Sequence, residues 1–317
     1  MELAQFCSSA RAVIVAGKGG VGKTTVTGAL ALVAARAGMS VLIIEVEGKS
    51  GLPAMFECDQ LEYEECHVAP GVRARTLTPD QALLDYLRDH GLRRISRRLS
   101  SSGALDVVAT AVPGMKDILV LGKVKQLERD RVADLILIDA PAAGHAVSFL
   151  LSPRGLLDAV RVGPIRKQAA DVIEMLSDPQ RCQVVLVTIP EETPVNELVD
   201  TAFAIEDRVG VKLGPVVVNG CYPELDVDAS PVDIARDADA LDVFVSAREA
   251  DDLARAAAFR TRRQALQRAE ADRLAELLPL PQLRLPFLFT ADLGRAELDL
   301  LSAHLAAGVE ALPTALV

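Results

Sequence analysis

Aromatic side chains are scarce in this sequence. Among 317 residues there is no tryptophan, and three tyrosines and eight phenylalanines amount to 3%. Stacking of bases on aromatic platforms, the common way to hold single-stranded nucleic acid, is therefore a limited resource. Positive charge is in deficit as well, with 44 Asp and Glu against 34 Lys and Arg and a net charge of −10. A nucleic-acid-binding face needs a basic excess, so no nucleic-acid partner is expected. No apolar run reaches the roughly 18 residues that cross a bilayer, so no transmembrane segment is expected. Residues 1–10 have neither the basic start nor the apolar run of a secretory signal. Five cysteines (Cys7, Cys58, Cys66, Cys182, Cys221) include no C-x-x-C pair. Even with His67 nearby, the spacing of Cys58 and Cys66 matches no zinc pattern. The chain reads as a cytoplasmic protein with reduced thiols.

Hydrophobic residues, by contrast, make up 50% of the chain, enough to bury a large core. No linker of low complexity divides it, so residues 1–317 are expected to form a single domain. An apolar run, Ala12-Val13-Ile14-Val15, is followed by Gly17-Lys18-Gly19-Gly20-Val21-Gly22-Lys23-Thr24-Thr25 and then by an alanine-rich helical stretch. Strand, glycine-rich loop and helix are the context of a P-loop, and Gly17, Gly22, Lys23 and Thr24 fit G-x-x-x-x-G-K-[ST]. Glycines at 17, 19, 20 and 22 let successive backbone N–H groups face phosphate oxygens, and the helix N-terminus adds partial positive charge. Lys23 is the candidate for the β- and γ-phosphates and Thr24 for Mg²⁺, so ATP and Mg²⁺ are the expected ligands.

A second strand over residues 41–47 ends at Glu45-Val46-Glu47. A third, Leu135-Ile136-Leu137-Ile138-Asp139, has the Walker B form, with Asp139 on the metal. This alternation predicts an α/β fold: a P-loop NTPase with a mainly parallel, twisted sheet flanked by helices. The stretch between the second strand and Asp139 is far longer than a simple crossover. Residues 52–130 are therefore read as a mostly helical insertion, with a strand at 72–77 and a capped helix from Thr78-Pro79-Asp80.

Lys18, just after the first glycine, marks the deviant Walker A form. The loop resembles that of the MinD, ParA, nitrogenase iron protein and ArsA group of dimeric ATPases. That resemblance implies that Lys18 reaches across a dimer interface to the partner's nucleotide, and that Glu47 positions the attacking water. Residues 139–150, DAPAAGHAVSFL, more closely resemble the DTAPTGHTLRFL run of ArsA and of the guided-entry ATPase that delivers tail-anchored proteins. They depart from it at Ala140, Ala143 and Ser148, while His145 keeps its place in this second switch. Asn219, ending Val216-Val217-Val218, resembles the family's adenine-binding asparagine, and Pro286 and Phe287 its loop over the base. Gly17, Gly19, Gly20, Val21, Gly22, Lys23, Thr24 and Thr25 form the phosphate site in this resemblance.

The resemblance implies a Mg²⁺-dependent ATPase working as a homodimer, or as a heterodimer with a paralogous ATPase. Its partner beyond that is a hydrophobic client or a membrane protein. A metalloid oxyanion pump subunit and a MinD- or ParA-like positioning ATPase stand as alternatives. A redox role is disfavoured, because no cysteine follows Asp139 near the second switch. Within residues 104–127, Met115, Ile118, Leu119, Leu121 and Val124 recur at helical spacing, as ordinary core or as a client groove. Arg88, Arg93, Arg94, Arg97 and Arg98 form the one basic cluster, a solvated helix end or a docking patch. Residues 246–278 predict a helix packed along one face, and residues 297–312 another amphipathic helix.

Overall fold

The computed structural model describes residues 1–46, 51–89, 91, 114–141, 143–225 and 230–313. Eight strands form one sheet: β1 (Ala12–Gly17), β2 (Val41–Val46), β3 (Cys66–Ala69), β4 (Val72–Leu77), β5 (Leu135–Asp139), β6 (Cys182–Thr188), β7 (Lys212–Cys221) and β8 (Gln282–Pro286). Their spatial order is β3-β4-β2-β5-β1-β6-β7-β8. Every neighbouring pair is parallel except β3 with β4. Parallel strands covered on both faces read as unbroken apolar runs, and all six residues of β1 are buried.

Alternate residues of each strand enter two separate cores. Leu42, Ile44, Ile136 and Ile138 pack on one face, under α5 (Met115–Arg129), α6 (Ala143–Ala159), α7 (Pro164–Ser177) and α8 (Glu192–Phe203). Val41, Ile43, Leu135 and Leu137 pack on the other, under α1 (Leu3–Cys7), α2 (Lys23–Arg36), α3 (Leu52–Met55) and α11 (Arg295–Glu310). The period-2 pleat of the strands makes this division. Between α3 and α5, β3 and β4 extend the sheet and α4 (Pro79–Asp89) follows. The region 52–130 thus contributes two strands as well as helices. In α5, Ile118, Leu121 and Val124 are each 1% exposed, so this part of the apolar stripe is core. Residues 104–113 of that stripe, and Arg93, Arg94, Arg97 and Arg98, lie outside the described residues.

After β7 a helical hairpin leaves the body of the molecule: α9 (Pro231–Ala240) and α10 (Ala247–Leu277). Both open with a capping box, Ser230 with Asp233 and Ser246 with Glu249. The sequence predicts α10 packed along one face, but it buries only Ala250, Gln267, Ala271 and Leu274. Its N-terminal half and the hairpin tip carry exposed apolar side chains, with Phe244 91% and Leu241 76% exposed. An apolar stripe at helical spacing records a helix, not what lies against it. No helix among the described residues is long and apolar enough to cross a membrane.

Candidate functional site

In an open α/β sheet the ligand crevice lies beyond the carboxyl ends of the strands, where the chain switches direction. Here that point is the end of β1, flanked by β5 and β6, and the glycine-rich loop sits on it. Gly17 passes so close to β6 that a Cβ there would lie 2.2 Å from the Val187 carbonyl oxygen. Gly22 holds φ at +91°, and a Cβ there would meet the Asn219 amide nitrogen at 2.3 Å. Gly19 and Gly20 are exposed, while Val21 is buried and anchors the loop. Gly22 is the N-cap of α2, with Lys23, Thr24 and Thr25 in its first turn. The N-terminal amides of a 14-residue helix therefore stand at the loop, an arrangement suited to an anion.

Lys23 Nζ donates to the backbone oxygen of Lys18 at 3.2 Å, folding back over the loop. Burial lowers its pKa, an effect the nearby Asp139 opposes. The Thr24 hydroxyl donates to Asp139 Oδ2 at 2.7 Å, joining the first turn of α2 to the end of β5. Asp139 is 6% exposed, and its second oxygen, Oδ1, has no hydrogen-bond partner among the described residues. Burial pushes its carboxyl up to about 6; the Thr24 hydrogen bond and the Lys23 charge pull it down, and the charge of Glu45 adds to the rise. A hard divalent cation takes oxygen ligands, and a buried orphan carboxylate oxygen beside a hydroxyl fits that demand.

Glu45 is the residue that motif reading overlooks. It lies within an apolar strand, is 4% exposed, and stands directly across from Asp139 in the register of β2 and β5. The sequence signal is a carboxylate inside the apolar run Val41-Leu42-Ile43-Ile44 to Val46, since a charged side chain is seldom fully buried unless it is paired. Glu47, two residues on, lies outside the described residues.

Asn219, Pro286 and Phe287 line one cavity of about 390 Å³ together with Gly20, Val21, Gly22 and Thr25. The Asn219 amide donates to the Val21 carbonyl at 2.9 Å, tying the end of β7 to the loop. Gln267, also unpredicted, is buried and fixes the far wall. Its side chain accepts from the Tyr222 amide at 2.8 Å and donates to the Gly220 carbonyl at 3.1 Å. Phe287 belongs to an aromatic trio with Tyr222 and Phe289, at ring separations of 4.9 to 5.5 Å. A larger cavity of about 700 Å³ lies between α4, α5 and α7. It contains none of the loop residues, and its Lys123 and Lys125 are paired with Asp85 and Asp171.

Lys18 is placed differently from the other loop residues. Its ammonium pairs with Glu197 of α8 at 2.7 Å, within the same chain. His145 is exposed in the first turn of α6, while Phe149 and Leu150 on the same helix are buried. Cys58 is half-buried and Cys66 exposed, and no group of three metal-ligating side chains occurs among the described residues.

A family model described as anion-transporting ATPase matches residues 10–167. The chain is 34% identical to the ATPase BagA of Mycobacterium tuberculosis over 246 residues, covering 73% of this chain and 70% of that protein. It is 27% identical to an arsenical pump-driving ATPase of Escherichia coli over 237 residues, or 65% of this chain and 39% of the pump ATPase. Similarity extends to the ATPase get3 of Schizosaccharomyces japonicus, 26% identical over 177 residues, covering 52% of this chain and 53% of that ATPase.

Proposed function

The chain belongs to the ArsA family of anion-transporting ATPases, and on that premise we propose that ATP with Mg²⁺ draws two subunits together and that its hydrolysis lets them part. The observation that carries this reading is the joined Thr24–Asp139 pair, with an unpartnered buried oxygen, at the N-terminus of α2 beside Lys23. In it, the loop amides and Lys23 take the β- and γ-phosphates, and the cavity walled by Asn219, Pro286 and Phe287 takes the base. Thr24 and Asp139 hold Mg²⁺, which when bound supplies neutralising charge to the phosphates. Glu47 orients a water for attack on the γ-phosphorus; the bond from that phosphorus to the β-phosphate oxygen breaks, and ADP and phosphate leave.

Pairing enters through Lys18. Its partner in the single chain, Glu197, is 46% exposed at the side chain and Lys18 36%. An ion pair of that exposure contributes only about 0.5 kcal/mol. A second subunit's bound nucleotide can therefore draw Lys18 away at little cost. The exposed apolar residues of the α9–α10 hairpin support a protein partner too, because a surface patch of that kind is what an interface covers. A homodimer, a paralogous ATPase, a hydrophobic client and a membrane protein all remain within this reading.

Phosphate release by the purified chain tests it. The wild type is expected to turn over ATP only with Mg²⁺, and Lys23→Ala to lose at least about 100-fold, as when a charge-stabilising donor is removed. Hydrolysis by Lys23→Ala at the wild-type rate would sink the proposal. Stimulation of turnover by arsenite would instead favour the metalloid-pump alternative.

A further inference from the structure

We propose that Glu45 is a second carboxylate of the cation site, acting through water on the divalent ion held by Thr24 and Asp139. This rests on the reading of Thr24 and Asp139 given above and adds to it a residue from a different strand.

Register makes the case. β2 and β5 run parallel from Val41 opposite Leu135 to Glu45 opposite Asp139, without a bulge. Val41 and Ile43, like Leu135 and Leu137, enter the core beneath α2. By the pleat, Glu45 and Asp139 continue those two rows on the same face, the face from which Thr24 reaches Asp139. Directly opposed residues on adjacent strands have backbones only ~4.8 Å apart. Two carboxylates, 4% and 6% exposed, are thus held side by side in the interior.

Such a pair is self-repelling, and a low-dielectric setting magnifies the repulsion. The row also holds Glu45 in place. On its other side β4 sets Thr76 in register, and the Thr76 hydroxyl lies 2.7 Å from Glu45 Oε2. On the Asp139 side, Thr24 satisfies Oδ2 and leaves Oδ1 buried without a partner. Lys23 is the nearby cation acting on Asp139, and its ammonium is directed to the loop carbonyl of Lys18. A divalent ion with its water shell resolves both features, supplying charge between the carboxylates and a ligand for Oδ1. The competing arrangement is one proton shared by two carboxyls, as in carboxylate dyads. The two arrangements differ in what Glu45→Gln does.

Mn²⁺ serves as the probe, its binding to the ADP-loaded chain followed by electron paramagnetic resonance, so no turnover is required. Glu45→Gln is expected to weaken Mn²⁺ binding by about 10-fold or more, the usual effect of losing an outer-sphere partner. ADP affinity in EDTA should stay unchanged, and Glu45→Asp should recover part of the Mn²⁺ affinity. A shared proton predicts instead that Glu45→Gln binds Mn²⁺ as the wild type does, which overturns the proposal. If Glu45→Gln does not fold, Thr76→Val is read in its place. Loss of the hydroxyl that holds Glu45 should weaken Mn²⁺ binding about 10-fold, and unchanged affinity overturns the proposal by that route. A wild type that binds ADP but no Mn²⁺ overturns both this inference and the functional reading beneath it, whereas equal binding by Glu45→Gln overturns this inference alone.

Discussion

Gly22 combines three constraints in one position: a left-handed φ of +91°, the N-cap of α2, and an Asn219 amide where a Cβ would sit. Gly22→Ala must strain the backbone by about 1–3 kcal/mol and displace Asn219 from Val21. Because the loop is at the surface, the fold should survive while nucleotide affinity falls at least about 10-fold, the equivalent of 1.4 kcal/mol. Titration with a fluorescent ADP analogue checks this; an unchanged dissociation constant would mean the loop tolerates a side chain where the geometry forbids one. The same residue explains why the geometry of the loop was legible in the sequence. Its chemistry is local: glycines, Lys23 and Thr24 lie within one short segment whose spacing is its geometry. The partners of Glu45 and Gln267 were not legible, because they are distant in sequence. Asp139 stands beside Glu45 only through strand register, and Gly220 and Tyr222 meet Gln267 only through the packing of α10 on β7.

At the scale of elements, the strands were the easier part to read. β1 is an unbroken apolar run, and β2 and β5 are apolar up to Glu45 and Asp139, because helices cover both faces. What closes the sheet at its far end is polar and escaped notice. Glu128, at the end of α5, has a side chain with no exposure and binds both Arg11 and Arg181 at 2.6 Å. It thereby fastens α5 to the starts of β1 and β6. A second polar link ties the segment before β3 to α4 and α5 through Asp85, which receives a hydrogen bond from Tyr63 and pairs with Lys123 at 2.7 Å. Burial alone would raise the Asp85 pKa, but hydrogen bonds from Lys123 and Tyr63 and the charges of Lys123 and Arg88 outweigh it, so it lies below the usual aspartate value. The sign follows: a depressed carboxyl stabilises the fold above its unfolded pKa of about 3.9 and ceases to as pH falls through the folded value. Asp85→Asn should cost about 1–3 kcal/mol at pH 7, because it leaves Lys123 half-buried without its countercharge. Urea unfolding at several pH values should show that cost shrinking below about pH 4. A cost independent of pH would remove the charge from this account and leave only packing.

Across the whole molecule, the described candidate-site residues come together within one chain, and Lys18 is placed apart from them. The glycine-rich loop, the Thr24–Asp139 pair and the cavity lined by Asn219, Pro286 and Phe287 are assembled by β1, β5, β7 and β8 of one chain. Lys18 is turned aside, onto Glu197 of α8. The hairpin of α9 and α10 likewise presents apolar side chains that are exposed among the described residues. In the proposed cycle these are two halves of one event. Nucleotide favours the paired state by interacting differently with the two states, and hydrolysis removes that difference. Sequence could point to Lys18 through its place after Gly17, but the ion pair with Glu197 depends on how α8 lies against the loop, which no local pattern encodes.

Molar mass by light scattering, on the wild type and Lys18→Ala with ADP and with Mg²⁺ and a non-hydrolysable ATP analogue, tests this account most directly. The chain is 33.8 kDa. The wild type should be near that mass with ADP and near twice it with the analogue. Lys18→Ala should bind the analogue with wild-type affinity yet stay at the single-chain mass. Full pairing by Lys18→Ala, or a wild type that binds the analogue and neither pairs with itself nor captures a paralogous ATPase, would contradict a nucleotide-driven subunit switch.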